Sequence, residues 1–412
     1  MIGRVVIVKH ILFVMSGMNI GGAERCLLGL LGSIDYSKYA VDLFLLRHCG
    51  ALMPYIDKRV NVLPENPKYS VYACSLADVI KNGNFGAAYG RIKAKIMAGR
   101  YVRKHNITGL NGIELEYSHK YTVKYLPKIN PGTEYDLAVS FITPHYIVAN
   151  HVNAKVKAAW IHTDYSYIDV DASSELKMWD AYDNIISISD SVTESFLKVF
   201  PSLKKKICLI EHVIPEKLLW LQAKEGRAEA EREMPEKDGE WRLLSIGRFC
   251  PAKNFDNIPQ MCSIVRSLGV NIKWYIIGFG PDEKLINSKI QEYGMQDYVI
   301  MLGKKSNPYP YIAACDFYLQ PSRFEGKAVT VCEALVMKKL VVIAEYATAK
   351  SQIKNGTDGV ILPVETELFA KRLAEFIENK ELQNQIRENV ESTDYSCSEE
   401  SLKLYSLGKE CV

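Results

Sequence analysis

Two glutamates, Glu325 and Glu333, stand eight positions apart in RFEGKAVTVCEALVMKKLVVIAE, residues 323 to 345. Two carboxylates at one site could act as a general acid and base. On one continuous helix, however, side chains eight positions apart lie about 80° from each other. Gly326 argues against a helix over the whole interval, so we place Glu325 in a loop and start a helix near Val329, with Glu333 in its second turn. The spacing therefore does not predict a simple acid–base pair.

The residues between the two glutamates are predicted to form a helix N-terminus. The unpaired backbone amides and the dipole of such an end favour an anion. The order carboxylate, anion site, carboxylate fits a ligand with hydroxyl groups at each end and phosphate in the middle, which describes a nucleotide sugar. From this segment alone, a solvent-facing Glu325 and a Glu333 on the helix surface are an equally good interpretation.

A second loop, GRFCPAKNFD at residues 247 to 256, places Arg248 and Lys253 after a predicted strand. Arginine can hold a pyrophosphate with its planar fork, and lysine can hold it as a point charge. Most lysines and arginines are exposed, so the loop taken alone is also consistent with two solvated surface residues.

Short apolar runs alternate with helical patterns in both halves of the chain. The predicted strands are 11–16, 40–46, 136–142, 156–162, 184–189 and 206–214 in the first half, and 242–247, 272–278, 299–303, 317–322, 340–344 and 359–363 in the second. Strand, glycine loop, helix and strand is the pattern of a parallel sheet, so the predicted fold class is α/β with two doubly wound sheets. Ligands of such sheets bind beyond the carboxyl ends of the strands. The charged residues 222–240 are predicted to be a surface connection between the domains, without core residues.

The composition is that of a globular protein. At 412 residues, with 48% apolar residues, the chain is long enough for two domains, and its net charge of +3 gives no reason to expect nucleic acid as a partner. The ten cysteines show no CxxC pair and no metal-ligand spacing, so we interpret them as reduced thiols of a cytoplasmic protein. The first fifteen residues are apolar but lack a signal-peptide pattern, which favours a buried strand.

The segment PSRFEGKAVTVCEALVMKKLVVIAEYATAKSQIKNGTDGVIL (321–362) resembles the signature of the retaining GT-B glycosyltransferases of family 4, whose hallmark is Glu, seven residues, Glu. The resemblance extends over nearly the whole chain. It includes the blocks GGAER (21–25), AAWIHTDY (158–165), ISISDSVTESF (186–196), SIGRFCPAKNFD (245–256), IIGFGPDEKL (276–285) and LGKKSNPYPYIAACDFYLQPS (302–322). The nearest group is the capsular or cell-surface polysaccharide type.

This resemblance implies a GT-B fold, in which two Rossmann-like domains face a central cleft. The amino-terminal, acceptor-binding domain would be residues 1–218, with a carboxyl-terminal helix of about 396–412 packing back on it. The nucleotide-sugar-binding domain would be residues 219–395. The implied activity is metal-independent and cofactor-free transfer of a hexose-type sugar, with retention, from a nucleoside diphosphate sugar, UDP being the expected nucleotide. The implied acceptor is a glycan or a polyprenyl-linked glycan.

The resemblance also assigns roles to residues. Arg248 and Lys253 would hold the diphosphate, Glu325 the hydroxyls of the transferred sugar, Glu333 the ribose, and Lys304 would lie near the base. The implied catalytic residues are Glu325, His162, Arg248 and Lys253. The implied donor-binding residues are Gly22, Arg248, Lys253, Lys304, Glu325, Gly326, Lys327, Ala328, Val329 and Glu333, and the implied acceptor-binding residues are Gly21, Gly22 and His162. Ala328 and Glu211-His212 depart from the commoner family pattern.

Other classes of protein were weighed. A dinucleotide-dependent oxidoreductase would carry GxGxxG, which neither GMNIGGAE nor GFGPDE matches. A non-catalytic GT-B protein that binds carbohydrate or assists assembly is the main alternative, and an activity assay separates it from an enzyme. The triplet Asp169-Val170-Asp171 mimics the metal-binding DxD of the other glycosyltransferase fold, and we interpret it as a surface loop.

Residues 91–104, RIKAKIMAGRYVRK, hold six basic residues and no acidic one. Interleaved with them are Ile92, Ile96, Met97, Tyr101 and Val102. This pattern fits a basic amphipathic helix on an anionic membrane surface, where a lipid-linked acceptor would be found. It fits equally well a solvated helix with an ordinary buried side. A cytoplasmic protein that associates peripherally with the inner face of the membrane is thus one interpretation.

Overall fold

The computed structural model describes residues 9–407. The start of the predicted amino-terminal strand and the end of the predicted carboxyl-terminal helix lie outside these residues. The chain divides into two compact units. The amino-terminal unit comprises the described residues up to Val213 together with those from Ser398, and the carboxyl-terminal unit is Ile214–Cys397.

Seven strands form the sheet of the amino-terminal unit. They are β1 (Lys9–Met15), β2 (Tyr39–Leu45), β3 (Asn61–Val62), β4 (Tyr135–Ser140), β5 (Ala154–Ile161), β6 (Asn184–Ser187) and β7 (Ile207–Leu209). All pairings are parallel, in the order β3-β2-β1-β4-β5-β6-β7. The apolar runs predicted the six longer strands because a parallel sheet is covered on both faces. The two-residue β3 is too short to leave such a signal.

The helices of the amino-terminal unit cover both faces of its sheet in sequence between the strands. They are α1 (Gly22–Ser33), α2 (Leu76–Lys81), α3 (Phe85–Lys104), α4 (Ile113–Thr122), α5 (Tyr146–His151), α6 (Ala172–Trp179) and α7 (Asp190–Val199). A 3₁₀ segment, Ser398–Ser406, packs on α1 near the carboxyl terminus. There the Tyr405 ring stacks on Tyr39 with centroids 4.1 Å apart, and its hydroxyl accepts a hydrogen bond from the Asp35 amide at 3.1 Å.

Six parallel strands form the sheet of the carboxyl-terminal unit. They are β8 (Trp241–Ile246), β9 (Ile272–Ile277), β10 (Val299–Gly303), β11 (Phe317–Gln320), β12 (Leu340–Ala344) and β13 (Val360–Leu362). Their order is β10-β9-β8-β11-β12-β13, so the chain reverses direction across the sheet between β8 and β11. The helices of this unit are α8 (Glu216–Glu225), α9 (Arg227–Glu233), α10 (Ile258–Ser267), α11 (Glu283–Glu292), α12 (Tyr309–Ala314), α13 (Val329–Val336), α14 (Ala349–Gln352), α15 (Thr366–Glu378) and α16 (Lys380–Ser392).

The prediction that residues 222–240 form a connection without core residues is wrong. Most of this segment lies in α8 and α9, which belong to the carboxyl-terminal unit. Ala223, Ala230 and Met234 are buried in the hydrophobic core of that unit. On the outer face, Lys305 forms ion pairs with Glu229 and Glu233 at 2.8 and 2.6 Å. Two alanines and one methionine among many charges are too weak a pattern to reveal the buried side.

The prediction that all cysteines are free thiols is wrong at one position. Eight of the described cysteines form no disulfide bond, whereas Cys208 is disulfide-bonded. Among residues 9–407, no helix combines the length and the apolar character needed to cross a membrane.

Candidate functional site

Two loops meet where the carboxyl-terminal sheet changes direction, at the carboxyl ends of β8 and β11. The backbone amides of Arg323 and Phe324 both donate to the Ala252 carbonyl, at 2.8 and 3.3 Å. The Asn254 side chain donates to the Pro321 carbonyl at 2.9 Å. Asn254 has a φ of 61°, a left-handed conformation that asparagine tolerates better than most residues. These bonds tie the loop of Arg248 and Lys253 to the loop of Glu325.

Glycines allow a third loop to approach the first one closely. A Cβ on Gly278 would lie 1.9 Å from the Gly247 carbonyl oxygen, and one on Gly280 would lie 2.3 Å from the Phe249 carbonyl oxygen. The Phe249 amide donates to the Phe279 carbonyl at 2.9 Å across this contact. The GFG sequence after β9 is therefore required for packing at the loop of Arg248, because any side chain at the first or third position would collide with backbone.

Glu325 is buried at this junction and is held in one orientation. Its Oε1 accepts hydrogen bonds from Ser322 Oγ at 2.7 Å and from Gln320 Nε2 at 3.0 Å, and it forms an ion pair with Lys253 Nζ. The carboxyl group keeps about 10% of its side-chain surface exposed. Its second oxygen, Oε2, has no hydrogen-bond partner within residues 9–407. One oxygen thus positions the carboxylate, and the other is left for a ligand.

The groups that hold Glu325 are themselves fixed. Tyr318 donates its hydroxyl to Gln320 Oε1 at 2.9 Å, which turns the amide nitrogen of Gln320 toward Ser322 and Glu325. The Thr348 hydroxyl donates to the Glu325 carbonyl at 2.8 Å. Gln320 and Ser322 have no exposed surface. A buried network in which every member is bonded is rigid, so Glu325 is preorganised.

A helix N-terminus follows Glu325, as the sequence predicts. Helix α13 starts at Val329, and no side chain caps it at Ala328. Gly326 and Lys327 are half-buried, and a Cβ on Gly326 would meet open space. The Val329 and Thr330 amides at the start of α13 and the dipole of the helix are therefore available to an anion next to the Glu325 carboxylate, whereas the Val331 amide donates to the Ala328 carbonyl.

Glu333 does not lie on the helix surface. It is 1% exposed, and its Oε1 accepts the Tyr309 hydroxyl at 2.8 Å. The interpretation of a solvated Glu333 is therefore wrong, and the role of Glu333 at a ribose stays a prediction. Removing a carboxylate from water costs free energy, and a hydrogen bond such as the one from Tyr309 offsets part of that cost.

The two predicted phosphate-binding cations have different surroundings. Arg248 is exposed and makes no ion pair or hydrogen bond through its side chain within the described residues. Lys253 is mostly buried and forms an ion pair with Glu325. Lys304 is exposed at the end of β10, with its ammonium group 4.8 Å from the centroid of the Phe279 ring. Arg248 is thus the cation that could meet a phosphate without first breaking a protein contact.

His162 lies in the amino-terminal unit directly after β5. Its ring stacks on Trp160 and on His212, with centroids 6.1 and 5.9 Å apart, and contacts Phe141 at 5.1 Å. Burial lowers the pKa of His162 to about 4, so the imidazole is neutral at neutral pH. His212, which departs from the family pattern, therefore packs beside the predicted active-site histidine.

The glycines of the first loop stand at the start of α1. Gly21 is the residue before the helix and Gly22 is its first residue. A Cβ on Gly21 would lie 2.3 Å from Glu24 Oε2, so the glycine lets Glu24 fold back over the helix end. Burial raises the pKa of Glu24. A phosphate approaching this end would meet that carboxyl group; the roles predicted for Gly21 and Gly22 stay predictions.

The Asp169-Val170-Asp171 triplet is only partly a surface loop. Asp169 is exposed, but Asp171 is buried and caps α6, where it accepts the Ser174 amide at 3.1 Å and the Tyr117 hydroxyl at 2.6 Å. The interpretation of Asp171 as a surface residue is wrong because the helix start needs a side-chain acceptor. Within residues 9–407, no group of three or more His, Cys, Asp or Glu side chains could hold a metal ion.

The residues that orient the two glutamates were not predicted from the sequence. Ser322, Gln320 and Tyr309 are named in no predicted role, although each bonds to Glu325 or Glu333. Ser322 stands three residues before Glu325, and this short spacing is a signal that could have revealed it. Tyr309 is 24 residues from Glu333 and leaves no local signal.

Comparison with solved structures identifies the class of fold. The chain resembles the crystal structure of Anabaena HepE in complex with UDP and glucose, with a TM-score of 0.64, 14% identity, and coverage of 96% of this chain and 99% of that one. It resembles the catalytic domain of starch synthase IV from Arabidopsis thaliana bound to ADP and acarbose, with a TM-score of 0.66, 13% identity, and coverage of 97% and 98%. The predicted fold class, GT-B with two Rossmann-like parallel-sheet domains, is confirmed.

The family match lies in the carboxyl-terminal unit. Residues 226–393 match the family model described as glycosyl transferases group 1. The family prediction is confirmed.

Two curated relatives match part of the chain. One is the N-acetylgalactosamine-N,N'-diacetylbacillosaminyl-diphospho-undecaprenol 4-alpha-N-acetylgalactosaminyltransferase of Campylobacter jejuni, 27% identical over 30% of this chain and 34% of its own. The other is the putative colanic acid biosynthesis glycosyltransferase WcaL of Salmonella typhimurium, 27% identical over 32% of this chain and 35% of its own. The chain thus spans about a third of the length of these relatives.

Proposed function

We propose that this protein is a retaining glycosyltransferase. It moves a hexose-type sugar from a nucleoside diphosphate sugar, with UDP as the expected nucleotide, to a hydroxyl group of a glycan or lipid-linked acceptor in the synthesis of a surface polysaccharide. The family of residues 226–393 and the names of the two relatives support the reaction class and the biological setting. The UDP in the HepE complex supports the choice of nucleotide.

The observation on which the proposal rests is the arrangement around Glu325. A buried carboxylate with one oxygen fixed by Ser322, Gln320 and Lys253 leaves the other oxygen for a sugar hydroxyl. The uncapped N-terminus of α13 follows it directly, and the exposed Arg248 lies on the neighbouring, cross-bonded loop. A sugar hydroxyl and a diphosphate are the chemical groups that such a set of partners binds.

The reaction needs stabilisation of the leaving group more than a strong nucleophile. The bond from the sugar C1 to the diphosphate oxygen breaks, and a bond from C1 to the acceptor oxygen forms on the same face. The acceptor proton passes to the departing phosphate oxygen. Arg248 and the amides of α13 meet the negative charge that develops there, which is where preorganised donors lower a barrier most. In this mechanism Glu325 positions the sugar and is not a covalent nucleophile.

We propose that transfer requires neither a metal ion nor a cofactor. The charges expected to face the diphosphate are those of Arg248 and Lys253, together with the dipole of α13. Lys253 is paired with Glu325 before a donor arrives, so it links the sugar-binding carboxylate to the phosphate side of the site. We further propose that Glu333, held by Tyr309, contacts the ribose, and that Lys304 and Phe279 lie near the base.

We also propose that the amino-terminal unit contacts an anionic membrane through α3. The side chains of Phe85, Tyr89, Ile92 and Ile96 are 68%, 59%, 44% and 48% exposed. Their spacing of four, three and four residues places them on one face of the helix.

The opposite, buried face of α3 explains why these large side chains are exposed to solvent. The buried residues of α3 are all small: Ala87, Ala88, Gly90, Ala94 and Ala98. Ala94 and Ala98 pack in one cluster with Ile113 and Tyr117 of α4. A Cβ on Gly90 would lie 2.6 Å from the Tyr121 carbonyl oxygen, so the two helices are too close for larger side chains.

The basic residues of α3 flank its exposed apolar face. Lys93, Lys95, Arg100 and Arg103 are exposed, whereas Arg91 is tied to the carbonyls of Val71 and Cys74. Exposed apolar residues flanked by cations fit the interface of an anionic bilayer, where each Lys or Arg contributes about 1 kcal/mol. This arrangement favours the membrane interpretation of residues 91–104 over that of an ordinary buried side, because Ile92 and Ile96 are exposed.

The function is tested by screening nucleotide sugars against the purified protein. Thermal-shift measurements should find one nucleoside diphosphate sugar that raises the unfolding temperature, and slow hydrolysis of that donor should release free sugar and nucleoside diphosphate. An Arg248→Ala variant should weaken donor binding, whereas Lys284→Ala, an exposed lysine on α11, should not. Binding of sugars without turnover of any nucleotide sugar would instead support the non-catalytic alternative.

A further inference from the structure

A cavity of about 130 Å³ lies in the amino-terminal unit beyond the carboxyl ends of β4 and β5. Residues of α4, of α6 and of the loops that follow the two strands line it. His162, which the family resemblance places in the active site, is one of these residues. The volume is far larger than the ~10–15 Å³ that one water molecule needs. The cavity is thus large enough for a small organic ligand.

Three residues that line the cavity each carry a buried polar side-chain atom that lacks a hydrogen-bond partner within residues 9–407. The atoms are Glu116 Oε2, Trp160 Nε1 and His162 Nε2. Glu116 is 7% exposed and Trp160 is 2% exposed. Leaving one buried polar group unpaired costs about 1–3 kcal/mol. Three such groups among the residues that line one cavity favour a polar ligand there.

We propose that this cavity binds a neutral sugar residue of the acceptor, with Glu116, Trp160 and His162 as its hydrogen-bonding partners. The inference rests on the proposed function for the identity of the sugar as an acceptor. It adds Glu116 and Trp160 to the residues that bind the acceptor, and it proposes that these two side chains determine which acceptor sugar is recognised.

The chemistry of the three atoms selects hydroxyl groups. Glu116 Oε2 can only accept when ionised, Trp160 Nε1 can only donate, and the nitrogen of a neutral histidine does either according to its tautomer. A ligand with several hydroxyl groups, each both donor and acceptor, satisfies all three. The aromatic rings of Trp160, Trp179 and Tyr165 supply apolar walls against which the flat face of a sugar ring can pack.

The charge of the cavity excludes an acidic ligand. The charged side chains among its lining residues are Glu116 and Glu175, both carboxylates. Burial raises the pKa of both groups. His119 and His145 also line the cavity, and burial lowers the pKa of each to about 3, so they supply no positive charge near neutral pH. The residues that line the cavity include no lysine or arginine, so a sugar phosphate or a uronic acid would find no cationic partner in the cavity wall; the nearby Lys120 is bonded to Ser174.

The site is held in place before a ligand arrives. Glu116 Oε1 accepts the hydroxyl groups of Tyr146 at 2.5 Å and Ser174 at 2.8 Å, which fixes the orientation of Oε2. On the facing helix, Glu175 accepts the Tyr165 hydroxyl at 2.8 Å and Trp179 Nε1 at 3.3 Å. Side chains fixed in this way lose little freedom on binding a ligand.

The test uses the full-length protein and saturation-transfer NMR with free glucose, galactose, N-acetylglucosamine and their methyl glycosides, and with glucuronate as the acidic probe. At least one neutral sugar should bind, and glucuronate should not. Glu116→Gln and Trp160→Phe keep the shape of the wall but remove one hydrogen-bonding atom each. Each variant should weaken sugar binding roughly tenfold or more.

Matched controls are available for both variants. Glu114→Gln changes an exposed carboxyl group on the same helix, and Trp220→Phe changes a tryptophan of the other unit; neither should alter sugar binding. Near-ultraviolet circular dichroism shows whether each variant is folded. If Trp160→Phe does not fold, Glu116→Gln decides the question alone.

The results separate this inference from the proposed function. The cavity assignment is overturned if no neutral sugar binds, if glucuronate binds as well as glucose, or if both variants bind sugar as the unaltered protein does. Hydrolysis of a nucleotide sugar by the unaltered protein is measured independently. Sugar binding that depends on Glu116, without turnover of any donor, would support the cavity and overturn the proposed function.

Discussion

At the scale of single residues, two glutamates share one feature. The hydrogen bonds and ion pairs within the protein engage one carboxylate oxygen, and the other oxygen has no protein partner within residues 9–407. Glu325 shows this with Ser322, Gln320 and Lys253 on Oε1. Glu116 shows it again in the other unit, with Tyr146 and Ser174 on Oε1. A carboxylate held in this way cannot rotate to follow a ligand, so its open oxygen selects the position of one hydroxyl group.

Only part of this residue-scale arrangement could be predicted from the sequence. The spacing of Glu325, Gly326 and Val329 predicted the loop and the helix start correctly, because both depend on neighbouring residues. The Lys253–Glu325 ion pair joins positions 72 apart. Such a contact depends on which strands become neighbours in the sheet, and no local pattern encodes that.

Glu175 gives a prediction about pH. Burial raises its pKa to about 7 from the ordinary 4.5, with Glu116 and Asp171 adding to the shift and with bonds from Tyr165 and Trp179 opposing it. Between pH 4.5 and about pH 7, Glu175 is therefore protonated in the folded state but ionised in the unfolded state. The group's contribution to stability is therefore full below about pH 4.5 and is lost as the pH rises through 7.

Glu175→Gln should remove this dependence. The variant should gain stability relative to the unaltered protein as the pH rises from 5 to 8, by up to about 3 kcal/mol at ~1.4 kcal/mol per pKa unit. Thermal unfolding at both pH values measures the difference. Glu194→Gln, which changes an exposed carboxyl group on α7, is the control. If Glu175→Gln changes the free energy of unfolding by the same amount at pH 5 and pH 8, the pKa of Glu175 is not raised and the prediction is wrong.

At the scale of elements, the length of the apolar run decided what the sequence could reveal. The strands of both sheets except β3 were predicted because each is a continuous apolar segment between loops. Residues 222–240, which contain part of α8 and all of α9, were taken for a connection because only two alanines and one methionine among them are buried in the core. Helix α3 was ambiguous because its buried residues are small and its exposed ones are large, the reverse of the usual pattern.

The exposed face of α3 should be required for membrane binding. A variant with Phe85→Ser, Tyr89→Ser and Ile96→Ser loses the exposed apolar face but keeps every basic residue. It should lose most of its binding to vesicles of phosphatidylglycerol and phosphatidylcholine in a sedimentation assay, because the charges alone do not enter the bilayer. Raising the salt concentration should weaken binding of the unaltered protein, since the flanking cations contribute through screened charge.

A control for α3 comes from exposed apolar residues elsewhere. Leu268 and Leu285 are 54% and 44% exposed in the carboxyl-terminal unit, and their replacement by serine should leave vesicle binding unchanged. If the triple α3 variant sediments with vesicles as well as the unaltered protein does, α3 is not the membrane contact.

At the scale of the whole molecule, the chain repeats one architecture twice and gives each copy a different chemistry. Both sheets are parallel, and both place their candidate ligand-binding groups beyond the carboxyl ends of strands. The carboxyl-terminal unit offers Arg248 and an uncapped helix end, which suit phosphate. The cavity of the amino-terminal unit offers carboxylates, aromatic rings and neutral histidines, which suit a neutral sugar. Under the proposed function, this division of charge assigns the donor to the carboxyl-terminal unit and a sugar of the acceptor to the amino-terminal unit.

The double α/β architecture was predictable because it depends on repeated local patterns. The cavity of the amino-terminal unit was not, because its wall combines Glu116, Trp160 and Glu175 from three separate elements. Side chains from distant elements come together only when the strand order is known.

The central claim is that Glu325 positions the donor sugar, and it is tested most directly by replacing that residue. With the nucleotide sugar identified by the screen, Glu325→Ala should lower turnover by about 100-fold or more, the cost typical of losing one preorganised polar contact in a reaction of this kind. Binding of the free nucleoside diphosphate should stay close to normal, because Arg248 and α13 remain. Glu345→Ala, an exposed carboxyl group paired with Lys350, is the control. Normal turnover in Glu325→Ala would contradict the account.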